Sequence, residues 1–561
     1  MGRVFLEKLY IKNFGPIKED VISFEPFTYF IGLNNAGKSH FLKAIELLLA
    51  TKAPGQEDKV KLQHDKNLPI EITGYFRGVG EFTKLVSASN HQSKINKAMQ
   101  DDVLKVVRKL DPNGEDQFGI PFDYEIYNPS GFASNLLKIL PEPIPIVATA
   151  DTIDELTNKA NTALSKLKKE VLSAFLISLK EKTKQALVEL DKFLHDVESG
   201  SRSPDLDKFE RYFKEELTGE FAEVIPSIKF DLPDEEVIAK EMKIILNDGH
   251  PSEIEQKGHG LQRAALLAML RVLAKYGSRY QDRPTPIFLI GEIETFLHPY
   301  AQRMLAQTLY SLIDRYQIVT STHSPFIVNP NYIQGYRRVV KTTGGSKHFA
   351  PMPNADVNLD LIKRHLERRG NLEGLFADRI ILVEGDHDEG FYKKLMDIFG
   401  VAYPAGKFTL FIKAGGKTEV RQARKFYKAL GFDAVFAVCD LDYVFSNDCK
   451  YLLKELNLGQ DCPDNLRKHI GWTDAKDPSL EEVLKQLNDK GRPDNLKALI
   501  DKLEKQKVFI ISNGAPEMYY KNDNGQKTAW EQLKSENDLI EKEYLKELVQ
   551  KLMMTSSRGQ A

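Results

Sequence analysis

The sequence predicts an α/β protein made of two parallel-sheet units, the first interrupted by a helical insert and the second followed by a helical tail. Three observations carry this prediction. The apolar run FTYFI (27–31) leads into GLNNAGKS (32–39) and then into the amphipathic stretch FLKAIELLLA (41–50), a strand, a Gly-rich turn and a helix in succession. Apolar runs that end on acids recur at PIFLIGE (286–292), IILVE (380–384) and AVFAVCD (434–440), the pattern of buried parallel strands. Within the first unit, residues 151–199 are charged and poor in Gly and Pro. There Leu172, Leu176, Leu179, Thr183, Ala186, Leu190 and Phe193 recur at alternating four- and three-residue steps, a heptad seam.

Taken in order, residues 3–31 read as strands, 41–50 as a helix, and 69–76 and 119–127 as strands. The charged arm stops at the breaker cluster GSRSP (200–204), and Leu206–Leu217 is a candidate second helix. The seam needs a partner, which is either that second helix or another subunit. From 254 the α/β pattern returns: a Gly-rich entry to an apolar helix at 258–274, a buried strand ending in acids within 286–299, and another ending at a His within 317–328. Residues 340–355 read as a loop and 356–369 as a helix. Strands and helices then alternate at 379–383, 388–399, 408–413, 417–430, 434–439 and 507–511. The predicted divisions are 1–150 and 226–370 for the first unit, 151–225 for the insert, 371–530 for the second unit and 531–561 for the tail.

The chain has 561 residues, of which 42% are hydrophobic, so each unit has material for a core. The net charge of −2 gives no global attraction to nucleic acid, so any basic surface is local. Cys439, Cys449 and Cys462 lack zinc-ligand spacing and suit a reducing compartment. No signal-like apolar core and no run of about 18 apolar residues occurs, so a cytoplasmic protein without a membrane span is expected.

GLNNAGKS matches G-x-x-x-x-G-K-S in the context that motif requires. Gly32, Asn34, Asn35 and Gly37 shape a backbone cradle for phosphates. Lys38 reaches the β- and γ-oxygens, and Ser39 ligates Mg²⁺. ATP is the expected nucleotide. Three later segments resemble an ABC/SMC-like ATPase head. GHGLQR (258–263), with Gly260 and Gln262, is similar to the signature motif that meets ATP held by the other subunit. FLIGEIETFLHP is similar to the second acidic strand, and STHSP to the switch segment with His323. The resemblance implies ATP sandwiched between two heads. Counting back from Leu297-His298-Pro299, Glu292 matches the water-activating base, Gly291 stands where relatives carry the first acid, and Ile293 replaces a proline. A shift making Glu294 the base goes against this register. The expectation is tight ATP binding with slow hydrolysis.

Glu384-Gly385 after one strand and Asp440-x-Asp442 after a later one form the pattern of a Toprim domain. Acids at the ends of adjacent parallel strands converge, and Mg²⁺ favours a few hard oxygen ligands. Mn²⁺ is the alternative ion. Asp388 stands where relatives place a second acid, and Asp386 and Glu389 add carboxylates nearby. After the strand KVFII, Glu517 matches loosely another metal-site acid, with Ser512 behind it. Lys417, in KAGGKTEV, is either a DNA-phosphate contact or a solvated turn residue, and Lys527 is a further candidate for a phosphate.

A head of this type followed by FADRIILVEGDHDE (376–389) and a D-x-D strand resembles the OLD (overcoming lysogenisation defect) family of nucleases. The resemblance covers roughly 1–75, 254–330 and 375–520. It implies a DNA endonuclease gated by an ATPase homodimer or higher oligomer, using Glu384, Asp388, Asp440 and Asp442. It also implies service in defence against phages, alone or with a partner protein or nucleic acid, as in nuclease–helicase pairs and retron-linked effectors. The alternative reading is an ATP-gated DNA clamp or repair sensor without nuclease activity.

Overall fold

The computed structural model describes residues 3–112, 116–147, 245–247, 249–257, 283–295, 297–351, 357–459, 462–520 and 529–554, with scattered positions between 148 and 282. Apart from isolated positions, the expected insert with its heptad seam lies outside the described residues. So do Gly260, Gln262 and Lys527.

In chain order the first unit contributes β1 (Phe5–Phe14), β2 (Ile17–Ser23), β3 (Phe27–Ile31), β4 (Ile70–Arg77), β5 (Val103–Leu110), β6 (Asp116–Phe122), β7 (Glu125–Tyr127) and β8 (Pro143–Val147). A short pair, β9 (Ile245–Asn247) and β10 (Pro251–Glu253), precedes β11 (Ile287–Gly291), β12 (Gln317–Ser321), β13 (Tyr336–Thr342) and β14 (Gly345–Phe349). One sheet is antiparallel, in the order β2-β1-β4-β5-β6-β7. The other has the order β14-β13-β3-β12-β11-β8, parallel except for the edge strand β14. Every residue of β3, β11 and β12 is buried, because this sheet is covered on both faces. Leu9, Ile11, Ile72 and Phe76 from the antiparallel sheet share a core with Phe41, Ile45 and Leu48 of the helix Lys38–Leu48 and with Leu289 and Val319.

The second unit is a four-stranded parallel sheet, β15 (Arg379–Val383), β16 (Thr409–Lys413), β17 (Val435–Cys439) and β18 (Val508–Ile510), in the order β16-β15-β17-β18. The chain leaves β15 for β16 on one side and then crosses to β17 on the other, so the strand order reverses between β15 and β17. In such sheets the crevice at the carboxyl ends of the two strands is where ligands bind. The helix Asp386–Phe399 and the tail helix Lys542–Met553 cover one face, sharing a core of Val383, Leu395, Val438 and Leu548. Arg379 donates to Leu552 O (2.7 Å) and Met554 O (2.7 Å), which satisfies the last carbonyls of the tail helix. The other face joins the core of the first unit: Tyr336, Ile362, Tyr427, Phe432 and Val435 belong to one apolar cluster.

Several expectations are corrected. Residues 340–355 contain a hairpin, β13–β14, in place of the expected loop. Its turn residues Thr342, Gly344 and Gly345 supply the punctuation that makes the stretch look unstructured. β5 and β8 are additions to the expected strands. β5 is a strand of mixed Val, Lys and Arg, and β8 alternates Pro with Ile. Four helices, Asn447–Glu455, Cys462–Ile470, Leu480–Lys490 and Asp494–Lys505, fill the interval between β17 and β18, for which the sequence reading gives no element. Among the described residues no helix is long and apolar enough to cross a membrane.

Candidate nucleotide and metal sites

The phosphate loop joins the buried strand β3 to the helix Lys38–Leu48, so the backbone N–H groups of that helix's first turn point into the loop. Two of its glycines are required by geometry. Gly32 has φ +138° and a Cβ there would lie 2.5 Å from Val339 O. Gly37 has φ +103° and a Cβ would lie 2.6 Å from Ser346 Oγ. Asn35 takes the left-handed conformation at φ 59°. Asn34, Asn35 and Ser39 are exposed, whereas Lys38 is buried.

The Lys38 ammonium folds back on its own loop. It donates to Gly32 O (3.2 Å) and Leu33 O (3.0 Å), and its Nζ lies 2.6 Å from His323 Nε2. Burial pushes the Lys38 pKa down to about 8, against the attraction of Glu292 and Glu294. His323 Nε2 is also 3.2 Å from Glu292 Oε1. One ring nitrogen thus faces two partners with opposite demands: protonated it donates to Glu292, unprotonated it accepts from Lys38. Glu292 follows β11 with φ 48°, a conformation costly for a side-chain-bearing residue. The His323 hydrogen bond, with the charges of His323 and Lys38, holds its carboxyl below the usual range although partial burial opposes this.

Glu294 has a different place. It is buried, and its Oε1 accepts from Thr322 Oγ1 (2.6 Å) and from the His323 N–H (2.8 Å). It braces the segment that carries His323. Sequence reasoning misses Thr322, for which the available signal is its position directly before the histidine.

In the second unit, Glu384 directly follows β15 and Asp440 directly follows β17, on the two sides of the switch-point crevice. Glu384, Asp440 and Asp442 each offer a carboxylate oxygen, all within 4.8 Å of one another. The Asp440 N–H donates to Glu384 Oε1 (3.1 Å), which orients that carboxylate across the crevice. The Gly415 and Gly416 N–H groups donate to Glu384 O (3.2 and 3.1 Å), so the loop after β16 is folded onto the same point. Lys417, next in that loop, donates to Asp442 Oδ2 (2.6 Å) and Pro478 O (2.7 Å). Its ammonium is therefore engaged with an acid of the cluster and with the segment just before the helix Leu480–Lys490.

The remaining candidates lie around this centre. Asp388 accepts from the Gly385 N–H (2.8 Å) and caps its own helix. Its charge is felt by both Glu384 and Asp440. Asp386 pairs with Lys413, and Glu389 with Lys393 (2.6 Å). Glu517 lies 3.7 Å from His387 Nδ1. Ser512 Oγ meets Tyr519 OH at 3.3 Å.

Burial pushes the Glu384 carboxyl up to about 7, with repulsion from Asp442 next in weight. Burial and then repulsion from Glu384 raise Asp440 as well, and burial raises Asp388. Hard oxygen donors gathered where their own charge is disfavoured fit a divalent cation, whose field reverses both penalties. The stability consequence has a definite sign. A carboxyl with a raised pKa binds more protons folded than unfolded, so stability falls as pH rises from the unfolded value toward the folded one. For Glu384 this window runs from about 4.5 to about 7. The protein in EDTA is expected to melt at a lower temperature at pH 8 than at pH 6, and millimolar Mg²⁺ should remove most of that difference. Calorimetry in the four conditions checks this; an equal pH dependence with and without Mg²⁺ would count against a cation site here.

Comparisons with known proteins find an ATPase domain and a Toprim domain in the chain. The family model "AAA ATPase domain" matches residues 5–116 and 108–328, and the model "Overcoming lysogenization defect protein-like, TOPRIM domain" matches 375–442. The chain is 25% identical over 570 residues to the Old nuclease of Escherichia phage P2, covering 94% of this chain and 95% of that protein. It is 22% identical over 415 residues to endonuclease GajA of Bacillus cereus, covering 69% and 67%. It is 27% identical over 184 residues to the OLD nuclease of Thermus scotoductus, covering 31% and 34%. Among solved structures, the Smc head domain of Pyrococcus furiosus matches at 18% identity and a TM-score of 0.37, covering 62% of this chain and 96% of that one, too distant to carry a conclusion.

Proposed function

Because the chain belongs to the OLD family, which joins an AAA-type ATPase domain to an OLD-like Toprim domain, we propose that it is an ATP-binding endonuclease that cleaves DNA at Glu384, Asp440 and Asp442. The observation that carries the reading is the convergence of those three carboxylates at the switch point of a parallel sheet. Mg²⁺ or Mn²⁺ held there supplies Lewis acidity for activating water and for the charge on the leaving oxygen. The chain's own residues do the rest. The Asp440 N–H orients Glu384, Lys417 sets Asp442 and offers an ammonium to a phosphate, and Asp388 lends negative charge beside the cluster.

The loop from Gly32 to Ser39 would hold the phosphates of ATP, and Lys38 would exchange Gly32 O, Leu33 O and His323 for phosphate oxygens. Ser39 would hold Mg²⁺, Glu292 would orient water, and His323 would face the γ-phosphate. Gly291 leaves the Mg²⁺ shell one carboxylate short, so ATP acts as a slow switch. Purified protein is expected to turn over no more than about one ATP per second, toward the low end of enzyme rates. Glu292→Gln should lower this ~10²-fold while leaving ATP binding within about twofold. Many turnovers per second, or an unaffected Glu292→Gln rate, would refute this assignment. The order of the nucleotide motifs supports a dimer of heads closing on ATP, and the resemblance to the OLD family supports a role in antiphage defence, alone or with a partner protein or nucleic acid.

A supercoiled-plasmid assay tests the nuclease reading: Mg²⁺ or Mn²⁺ against EDTA, with and without ATP. Metal-dependent nicking or linearisation is expected. Intact plasmid in every condition, from protein shown to bind both ATP and DNA, would favour a non-cutting clamp.

A further inference from the structure

We infer that the β13–β14 hairpin mechanically couples the nucleotide loop to the metal-site strands, with Arg338 as the positioning residue that carries the coupling. The proposal rests on the reading of the two sites given above. It concerns how one reaches the other.

The contacts run in one row across the sheet. Ile31, the residue before the phosphate loop, is registered with Arg338 of β13, and Arg338 with Phe349 of β14. On the loop side the hairpin touches both constrained glycines: Val339 O closes on Gly32, and Ser346 Oγ on Gly37. On the other side the same row enters the Toprim unit. Arg338 donates to Leu430 O (3.3 Å), Gly431 O (3.0 Å) and Ala377 O (3.3 Å), and its guanidinium lies 3.5 Å from the Phe432 ring centroid. The Phe349 ring packs on Gly431, where a Cβ would meet it at 2.6 Å.

The attachment points sit at the starts of the two strands that matter. Ala377 lies two residues before β15, and Phe432 three before β17. β15 and β17 are paired to each other, and they lead directly into Glu384 and Asp440. A strand is stiff over the ~17 Å that five residues span, so a tilt imposed at the start reaches the acid at the end.

The chemistry of Arg338 argues against simple adhesion. It is 5% exposed, and among the described residues its hydrogen bonds all go to backbone carbonyls. Asp378 and Asp433 attract this charge without hydrogen-bonding to it, and burial outweighs them, so burying the guanidinium is costlier than burying an apolar side chain of the same volume. What the cation supplies is direction: three carbonyls and a ring face are held in one orientation, so β13 cannot shift without moving Ala377 and Leu430–Phe432. Two sites linked through a packed element of this kind satisfy the physical requirement for coupling.

The test is hydrogen–deuterium exchange at constant Mg²⁺, with and without ATPγS. In the wild type, ATPγS is expected to slow exchange several-fold at 31–40 and also to change it at 377–385 and 430–440. In Arg338→Met the response at 31–40 should remain and the response at both Toprim segments should vanish. Phe349→Ala, a partly exposed position, should weaken the same response and serves if Arg338→Met does not fold. A merely structural role would alter melting temperature yet leave the ATPγS response of the Toprim segments in place. That persistence in the variants, or a wild type responding at 31–40 alone, would overturn the proposal. Plasmid cleavage, scored separately, tells failure of the coupling from failure of the nuclease reading.

Discussion

Asp440→Ala is expected to abolish plasmid cleavage, by ~10³-fold or more, while raising the melting temperature of the metal-free protein. The two effects share one cause. Asp440 is a member of a carboxylate triplet gathered within 4.8 Å, and both it and Glu384 are held in burial that disfavours their charge. Removing one carboxylate relieves repulsion in the absence of a cation, so the fold gains. On the proposed reading it also removes a cation ligand and weakens the opposition to the charge of the transferring phosphate, a loss worth several kcal/mol of transition-state stabilisation. The Asp440 N–H that orients Glu384 belongs to the backbone and survives the substitution. Plasmid nicking rates together with calorimetry in EDTA check both halves. Full cleavage by the variant would move the active centre elsewhere. Lost cleavage with a lowered melting temperature would mean that Asp440 acts by holding the fold.

Lys38→Ala is the second large effect. ATP affinity should fall by ~10²-fold or more, because in the proposed site the ammonium would supply the charge-assisted contacts to the β- and γ-oxygens. The fold should tolerate the change. The Lys38 ammonium is buried, with its pKa pushed down to about 8, and its removal ends a desolvation cost. Titration of ATPγS by calorimetry reads the affinity, and the plasmid assay reads the consequence. Any difference in cleavage between ATP and no ATP in the wild type should disappear in the variant. A Lys38→Ala protein that still binds ATPγS within about threefold of the wild type would remove Lys38 from the nucleotide site.

How far each site can be read from the sequence follows from how local its chemistry is. The phosphate loop is local: strand, glycines, lysine and helix are contiguous, and backbone geometry alone ties Gly32 and Gly37 to their conformations. Glu384 and Asp440 are legible because each directly follows an apolar run, and a parallel strand buried on both faces leaves its first polar residue at the sheet's edge. The role of Glu294 is not legible. The register from Leu297-His298-Pro299 sets it aside as the base without giving it a role, and only the fold turns it inward onto Thr322 and the His323 N–H. Lys417 reads as a turn lysine with two plausible fates, and its contact with Asp442 depends on β16 lying beside β15. The β13–β14 hairpin reads as loop because Gly, Thr and Ser mark punctuation without saying what they punctuate.

The sequence by itself determined that this chain has a nucleotide loop and two acid-ended strands, since those signals lie within a few residues of one another. Tertiary structure alone decided which acids share a site, which cation is paired with them, and that Arg338 bridges the two units. Those facts depend on strand order and register between segments tens to hundreds of residues apart, and burial against a distant partner leaves no local pattern to read.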